Sequence, residues 1–271
     1  MEKIRSFQES VNLIRRDPKK HLGKVLGLWA MPLMFRGGGI IRDSYFFMRH
    51  VDDVLDGDDT TIKNPGEYVE KIRKDLVDGV PDKSFPIETL AFKSIYRLER
   101  KRTEESDDPK RFFLEGIEGM LIDFDRVKNR QVVNARSLRQ GFIDSFGPHF
   151  DISLMAVGSR LRSGDIETFL YAQGFAYSIQ DLKIDWERGL FNIPTEVLNQ
   201  SGLSGEAIFP EVATNSIVNE WIADESSKTR FDLDIFLKNI SSCEKERSAN
   251  LLMRGLSKRV ISVLDSRMQP I

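Results

Sequence analysis

Apolar residues recur every three or four positions along nearly the whole chain, which is the spacing of amphipathic helices. No segment shows the strict alternation of a half-buried strand, and no Asn-Gly pair marks a hairpin turn. The pattern therefore predicts an all-α protein. The predicted helices cover residues 3–16, 22–35, 38–57, 66–78, 87–105, 109–128, 135–161, 163–187, 205–224, 230–240 and 242–267.

Short breaks that contain turn-forming residues separate the predicted helices. Residues 64–66 (Asn-Pro-Gly) combine a turn with a helix start, and residues 106–109 (Ser-Asp-Asp-Pro) indicate an N-cap followed by proline in the first turn. Residues 164–165 (Gly-Asp) separate two long helices. Because no linker is long or of low complexity, residues 1–271 are predicted to form a single domain.

Composition and charge narrow the possible classes of function. The chain has 271 residues, of which 40% are hydrophobic and 30% charged, as in a soluble globular protein. The net charge is −2 and the basic residues are scattered, so no nucleic-acid partner is predicted. A single cysteine, Cys243, excludes a disulfide framework within the chain and a multi-cysteine metal site. The polar N-terminus is unlike a signal peptide and no apolar run reaches roughly 18 residues, so we expect a cytoplasmic location.

The first candidate site is an acidic cluster at the end of an apolar helix. Asp52 and Asp56 are four residues apart and share one helix face, with Asp53 beside them. Their repulsion and their position near the helix C-terminus are both unfavourable, and a polyvalent cation removes both effects. Mg²⁺ suits the cluster because it prefers oxygen ligands and bridges carboxylates to phosphates. The alternative is a solvated helix end, where Arg49 forms an ordinary ion pair instead of binding a phosphate.

A second acidic pair, Asp181 and Asp185, has the same spacing on another apolar helix. Gly174 and Ala176, earlier on that helix, permit close helix packing or leave room for a ligand. Two such helices facing one another would make a cage of carboxylates over an apolar cavity. The alternative is a partly exposed pair that is neutralised by neighbouring basic side chains.

The first cluster resembles a motif of the squalene/phytoene synthase family, the head-to-head prenyl synthases. In that family a Tyr precedes an Arg and then a Val-Asp-Asp-x-x-Asp run, and residues 45–56 (Tyr-Phe-Phe-Met-Arg-His-Val-Asp-Asp-Val-Leu-Asp) are closely similar. Residues 116–124 resemble the Gly-Met-x-x-Asp segment in the middle of the family's chain, with Asp123 at the Asp position. The resemblance covers about residues 15–200 in the family's order.

The second motif of the family is matched less completely. Its Gly-x-Ala segment is present, but Asp181 stands at an Asn position and Ser178 at a Gln position. Gly189 stands where a further Asp is expected, and about four residues are missing before Pro194. The Asn-Ile-Pro-Thr-Glu run of residues 192–196 resembles the end of the motif.

The resemblance implies an isoprenoid synthase helical bundle around a central cavity. It implies that Mg²⁺ promotes the condensation of two farnesyl or geranylgeranyl diphosphates with release of pyrophosphate, and that NADPH is used if a reductive step follows. The implied metal ligands are Asp52, Asp56, Asp181 and Asp185. The implied catalytic residues are Tyr45, Arg49, Asp52, Asp53, Asp56, Asp181 and Asp185. The implied substrate-binding residues are His21, Lys24, Arg49, Asp123, Tyr177, Ser178 and Arg188.

Three alternatives to this function remain open. The altered second motif also fits a terpene synthase-like or cyclase-like enzyme that ionises a single prenyl diphosphate. The family's fold is also kept in non-catalytic assembly factors or lipid-binding proteins. A metal phosphohydrolase that uses His50 is disfavoured, because no two of the three histidines are three or four residues apart. Water-insoluble products would favour peripheral membrane association, although no anchor is visible in the sequence.

Overall fold

The computed structural model describes residues 6–7, 9–11, 14, 18–82, 85–241 and 246–268, without the side chains of residues 18–21 and 24. Within these residues the protein is all-helical and has no strand, which confirms the predicted fold class. Cys243 and much of the predicted helix 3–16 lie outside the described residues. The helices are α1 (Pro18–Met34), α2 (Gly38–Leu55), α3 (Pro65–Asp78), α4 (Glu88–Glu99), α5 (Pro109–Lys128), α6 (Ala135–Ala156), α7 (Glu167–Gln180), α8 (Leu182–Arg188), α9 (Thr195–Ser201), α10 (Phe209–Thr214), α11 (Ser216–Ser241) and α12 (Arg247–Arg267), with a 3-10 helix at Ser163–Asp165. None of these helices has the length and apolarity needed to cross a bilayer.

The chain divides into two compact units. Unit 1 comprises Met1–Leu121 and Pro148–Arg162, and unit 2 comprises Ile122–Gly147 and Ser163–Ile271. Two of the three boundaries fall inside α5 and α6, so each of these helices contributes residues to both units, and the third lies directly before the 3-10 helix. The single domain over residues 1–271 stays a prediction.

Helix α2 is the main packing element of unit 1. It contacts α1, α3 and α4, and it buries Phe46, Phe47 and Val51 to 1% exposure or less. The removal of these large apolar side chains from water stabilises the helix in its place. The turn between α1 and α2 is so tight that a Cβ atom at Gly38 would lie 2.1 Å from the carbonyl oxygen of Met31. Glycine is therefore required where α2 begins.

Helix α7 forms the core of unit 2. Phe169, Leu170 and Phe175 are completely buried, and the helix packs against α11 and α12, which also pack against each other. A Cβ atom at Gly174 would lie 2.5 Å from the Cβ atom of Phe142 on α6. Close helix packing, rather than space for a ligand, therefore accounts for this glycine.

The single helix predicted over residues 163–187 is wrong. The segment contains the 3-10 helix, α7 and α8, and Asp181 between the last two is not helical (φ −97°, ψ 10°). Helical hydrogen bonds continue on both sides, from Asp181 N to Tyr177 O at 2.9 Å and from Asp185 N to Asp181 O at 3.0 Å. The apolar spacing runs through this bend without a break, so the sequence pattern does not indicate it.

The predicted boundaries between residues 205 and 240 are also wrong. The structure has the short α10 and then one long helix, α11, without a break between residues 224 and 230. Helix α11 begins at Ser216 because the side-chain oxygen of Asn215 accepts hydrogen bonds from the backbone N–H groups of Ile217 and Val218. Helix α9 was not predicted; it begins at Thr195, directly after the extended Pro194.

Candidate functional site

The first acidic cluster lies at the C-terminal end of α2, in unit 1, around one guanidinium group. Arg49 Nη1 lies 2.5 Å from Asp52 Oδ2, and Arg49 Nη2 lies 2.6 Å from Asp53 Oδ1. These are i,i+3 and i,i+4 pairs on one helix, so the helix itself aligns the three side chains. Of the two roles left open for Arg49, the structure contains the ion pair, and the phosphate-binding role stays a prediction.

Asp52 and Asp53 differ in their access to solvent. The side chain of Asp52 is 35% exposed and that of Asp53 is 7% exposed. Burial lowers the pKa of Arg49 while Asp52 and Asp53 raise it, and the pKa of Arg49 lies above its ordinary value as a result. Asp52 is therefore accessible to a cation from solvent, whereas Asp53 is enclosed beside a guanidinium that stays charged.

The chain turns immediately after the cluster. Asp56 caps α2, its N–H donating to Asp52 O at 2.8 Å, and Gly57 follows in the left-handed region at φ 75°. The N–H of Asp58 then donates to Asp53 O at 2.9 Å. Asp52 and Asp56 are both partly exposed. They are the pair in this cluster that fits the binding of Mg²⁺ through one or two carboxylates.

Aromatic side chains surround the cluster's helix. His50 Nε2 lies 2.9 Å from Tyr68 Oη, and the two rings meet edge to face at 5.9 Å. Tyr68 in turn packs edge to face on Phe85 at 4.9 Å. These contacts connect His50 to α3 and the loop after it, and they give no support to a phosphohydrolase centred on His50. Tyr45, one turn before Arg49, is partly exposed.

The second acidic pair, in unit 2, lies on either side of the start of α8. Asp181 Oδ1 accepts a hydrogen bond from Gln180 Nε2 at 3.2 Å, and Asp185 Oδ2 accepts one from Asn192 Nδ2 at 3.1 Å. The prediction that Asp181 and Asp185 share one continuous helix is wrong, because the backbone of Asp181 bends out of the helical conformation. The backbone hydrogen bond between them nevertheless keeps the two residues one turn apart.

Asn192 is oriented by Arg126, which lies on α5 three residues after Asp123. Arg126 is 8% exposed. Its Nη1 donates to Asp123 Oδ1 at 2.8 Å, and its Nη2 donates to Phe191 O at 2.9 Å and to Asn192 Oδ1 at 3.4 Å. With its amide oxygen bound to Arg126, Asn192 donates through its nitrogen to Asp185. The contacts therefore place Asp123 and Asp185, both predicted site residues, in one hydrogen-bonded network.

The sequence pattern does not indicate Arg126 as a member of this network. At three residues from Asp123 it resembles an ordinary surface ion pair, and its contact with Phe191 joins positions 65 residues apart. The sequence does indicate Asn192, because this residue begins the Asn-Ile-Pro-Thr-Glu run that resembles the end of the second motif.

Tyr177, a predicted substrate-binding residue, lies in an aromatic and basic environment within unit 2. Its ring stacks on that of Phe146 at 6.0 Å, and the guanidinium of Arg259 lies 5.6 Å from the ring centroid. Burial raises the pKa of the Tyr177 hydroxyl. The hydroxyl is therefore protonated at neutral pH and is suited to donate a hydrogen bond.

The other predicted substrate-binding residues are positioned differently. Ser178 is buried, and its Oγ donates to Phe175 O at 2.8 Å within the same helix. Arg188, at the end of α8, is exposed. The side chains of His21 and Lys24 lie outside the described residues.

Neither acidic pair supplies enough ligands for Mg²⁺ by itself, so further ligands are needed at each pair. In the described part of the chain, no three His, Cys, Asp or Glu side chains form a group that could hold a metal ion. Each acidic region supplies a pair of carboxylates, and Mg²⁺ commonly binds through one or two carboxylates together with waters and substrate phosphates. The donor chemistry of each pair therefore fits Mg²⁺ bound to a diphosphate.

The comparisons with known proteins identify no relative. No protein-family model matches the chain, and no curated protein and no solved structure matches it either.

Proposed function

We propose that this chain is a Mg²⁺-dependent prenyltransferase that condenses two farnesyl or geranylgeranyl diphosphates head-to-head and releases pyrophosphate. The observation that supports the proposal most directly is the cluster on α2, where Arg49 lies within 2.6 Å of both Asp52 and Asp53. These residues have the order and spacing of the prenyl-synthase motif. A second acidic pair, Asp181 and Asp185, adds donors of the kind that Mg²⁺ prefers.

In this reaction the departing pyrophosphate is the group that most needs electrostatic stabilisation. When the C–O bond of a prenyl diphosphate breaks, the electron pair stays with the pyrophosphate and an allylic cation remains. Bound Mg²⁺ supplies Lewis-acid stabilisation of that negative charge. Asp52 and Asp56 would hold Mg²⁺ in unit 1. Asp181 and Asp185 would hold Mg²⁺ in unit 2.

The residues around Asp52 prepare the cluster before any substrate binds. Arg49 fixes Asp52 and Asp53 in position, so little reorganisation is needed when the diphosphate arrives. Phe46 and Phe47 are buried in the core, so they stabilise α2 rather than contact the substrate. Tyr45, partly exposed on the same helix, would contact the diphosphate or direct the rearrangement of the cation.

The proposal is tested with purified protein, Mg²⁺ and each prenyl diphosphate, with measurement of pyrophosphate release and mass spectrometry of the products. A C30 or C40 product supports head-to-head condensation. A C15 or C20 product alone supports the terpene synthase-like alternative, in which a single diphosphate is ionised. No pyrophosphate release with any substrate contradicts both enzymes.

A non-catalytic, lipid-binding role is the second candidate. It is favoured by contacts that position the carboxylates without a metal. Arg49 forms ion pairs with Asp52 and Asp53, and Asn192 donates a hydrogen bond to Asp185. Such a protein would bind a prenyl diphosphate without turning it over. Binding that is unchanged by removal of Mg²⁺ and by Asp52→Asn would favour this role over the enzyme.

A further inference from the structure

Helix α1 has an exposed apolar face that the proposed reaction does not explain. Leu22, Leu26 and Leu33 are 47%, 62% and 89% exposed. Spacings of four and seven residues place the three leucines along one side of the helix. Val25 and Leu28, on another side, are 4% and 9% exposed. The helix is therefore packed into unit 1 along one face while a stripe of leucines remains in water, which is unfavourable unless something covers it.

The same segment is basic and contains no acidic residue. Residues 18–41 include Lys19, Lys20, Lys24 and Arg36 but no Asp or Glu. The chain as a whole has a net charge of −2, so the positive charge is a property of this segment. Arg36, two residues after the exposed Met34, is itself exposed.

We propose that the exposed face of α1 binds an anionic phospholipid surface. A helix that combines exposed leucines with basic residues inserts its apolar side chains between the headgroups, while its cationic residues attract acidic lipids. The inference does not depend on the proposed reaction, because it requires neither Mg²⁺ nor a prenyl diphosphate.

Charge favours a lipid surface over a second copy of the chain as the occupant of this face. Pairing two α1 faces would bring two acid-free, basic segments together, and like charges at an interface oppose association. In an anionic bilayer the leucines would contact the apolar acyl chains while the basic residues are attracted by the negatively charged headgroups.

Vesicle sedimentation tests the proposal. We expect the protein to sediment with phosphatidylserine–phosphatidylcholine vesicles, to sediment less with phosphatidylcholine vesicles, and to be released by added salt. The double variant Leu26→Glu, Leu33→Glu should lower the partition coefficient by about a hundredfold, roughly tenfold for each leucine. The matched control is Leu251→Glu, a leucine on α12 that is 55% exposed, and it should bind as the wild type does.

Three results would overturn the proposal. One is binding that does not depend on the anionic lipid, and another is an equal loss of binding in Leu251→Glu. The third is a wild-type dimer in solution that Leu26→Glu, Leu33→Glu dissociates while no vesicle binding is seen, which would assign the face to a second copy. Circular dichroism spectra of the variants establish that each one is folded.

Discussion

The two acidic regions fix their carboxylates in different ways. On α2, the charged guanidinium of Arg49 contacts Asp52 and Asp53 directly. Near α8, Asp185 accepts a hydrogen bond from the neutral amide of Asn192, and the oxygen of that amide accepts one from Arg126. The first arrangement is local to one helix, whereas the second depends on contacts between residues 65 or more positions apart.

This difference matters for cation binding. The guanidinium of Arg49 adds Coulomb attraction between opposite charges and offsets part of the negative charge of the carboxylate, which a neutral amide does not do. Asp52 is therefore firmly positioned but partly neutralised, whereas the contact from Asn192 orients Asp185 without adding a positive charge of its own. The first region should be more sensitive to loss of its arginine, and the second to loss of its amide.

The largest expected effect comes from removing one carboxylate in either region. Asp52→Asn and Asp185→Asn should each lower Mg²⁺-dependent kcat/KM with a prenyl diphosphate by about a thousandfold, because the charge that holds the metal is lost. The matched controls are Asp78→Asn in unit 1 and Asp224→Asn in unit 2, both exposed. Unchanged activity in either site variant, or an equal loss in its control, would contradict the assignment.

Loss of the arginine in the first region should mainly affect stability. Arg49→Met removes the guanidinium beside the enclosed Asp53, and we expect the free energy of unfolding to fall by about 3 kcal/mol in urea denaturation. The double variant Arg49→Met, Asp53→Asn should recover part of that loss, because no buried charge then remains. A double variant that is less stable than Arg49→Met alone would show that the ion pair is not the cause.

A buried carboxyl group in unit 1, that of Glu88, should make the free energy of unfolding depend on pH. Burial raises the pKa of Glu88 to about 7, and the nearby Asp75 adds to the rise. The hydrogen bond that Glu88 accepts from Asp82 N–H lowers the pKa but does not cancel this rise. Glu88 is fully buried on α4, which packs against α2. Because the folded protein keeps a proton that the unfolded chain loses near pH 4.5, this contribution to stability is complete below that pH and is lost as the pH rises through 7.

Urea denaturation from pH 4.5 to 8 measures this contribution. We expect Glu88→Gln to lack a pH-dependent loss of about 2 kcal/mol that the wild type shows over this range. The comparison between the two proteins cancels the titration of other groups. Identical pH profiles would contradict the raised pKa.

The smallest expected effect tests the hydrogen bonds from Arg126 to Asn192 and from Asn192 to Asp185 in the second region. The test uses a double variant, Asp52→Asn with Asp56→Asn, and Mn²⁺ in place of Mg²⁺. In this double variant, the further change Asn192→Ala should weaken Mn²⁺ binding by about tenfold, because Asp185 loses a contact that orients it. Arg126→Met should have a similar effect alone and little further effect once Asn192 is removed. Electron paramagnetic resonance of free Mn²⁺ measures this, and additive effects would mean that Arg126 does not act through Asn192.

Local patterns in the sequence were sufficient for the first region. The predicted helix 38–57 is close to the observed α2, and the alignment of Arg49 with Asp52 and Asp53 follows from helix periodicity. The all-helical fold follows from the same apolar spacing. The structure was needed to show the ion pairs of Arg49, and its contact with a phosphate stays a prediction.

The second region was less predictable because long-range contacts define it. The bend at Asp181 interrupts an apolar pattern that continues unchanged, so periodicity alone predicted one helix. The role of Arg126 depends on residues 191–192, which only folding brings near α5. The capping of α11 by Asn215 is local by contrast, and an Asn directly before a helix is typical of an N-cap.

Binding of a non-hydrolysable farnesyl diphosphate analogue, measured by isothermal titration calorimetry with and without Mg²⁺, tests the central claim most directly. The proposed function predicts binding that requires Mg²⁺ and is lost in Asp52→Asn but retained in Asp78→Asn. Binding that is equally tight without Mg²⁺ and in Asp52→Asn, or no binding of the analogue under any condition, would contradict it.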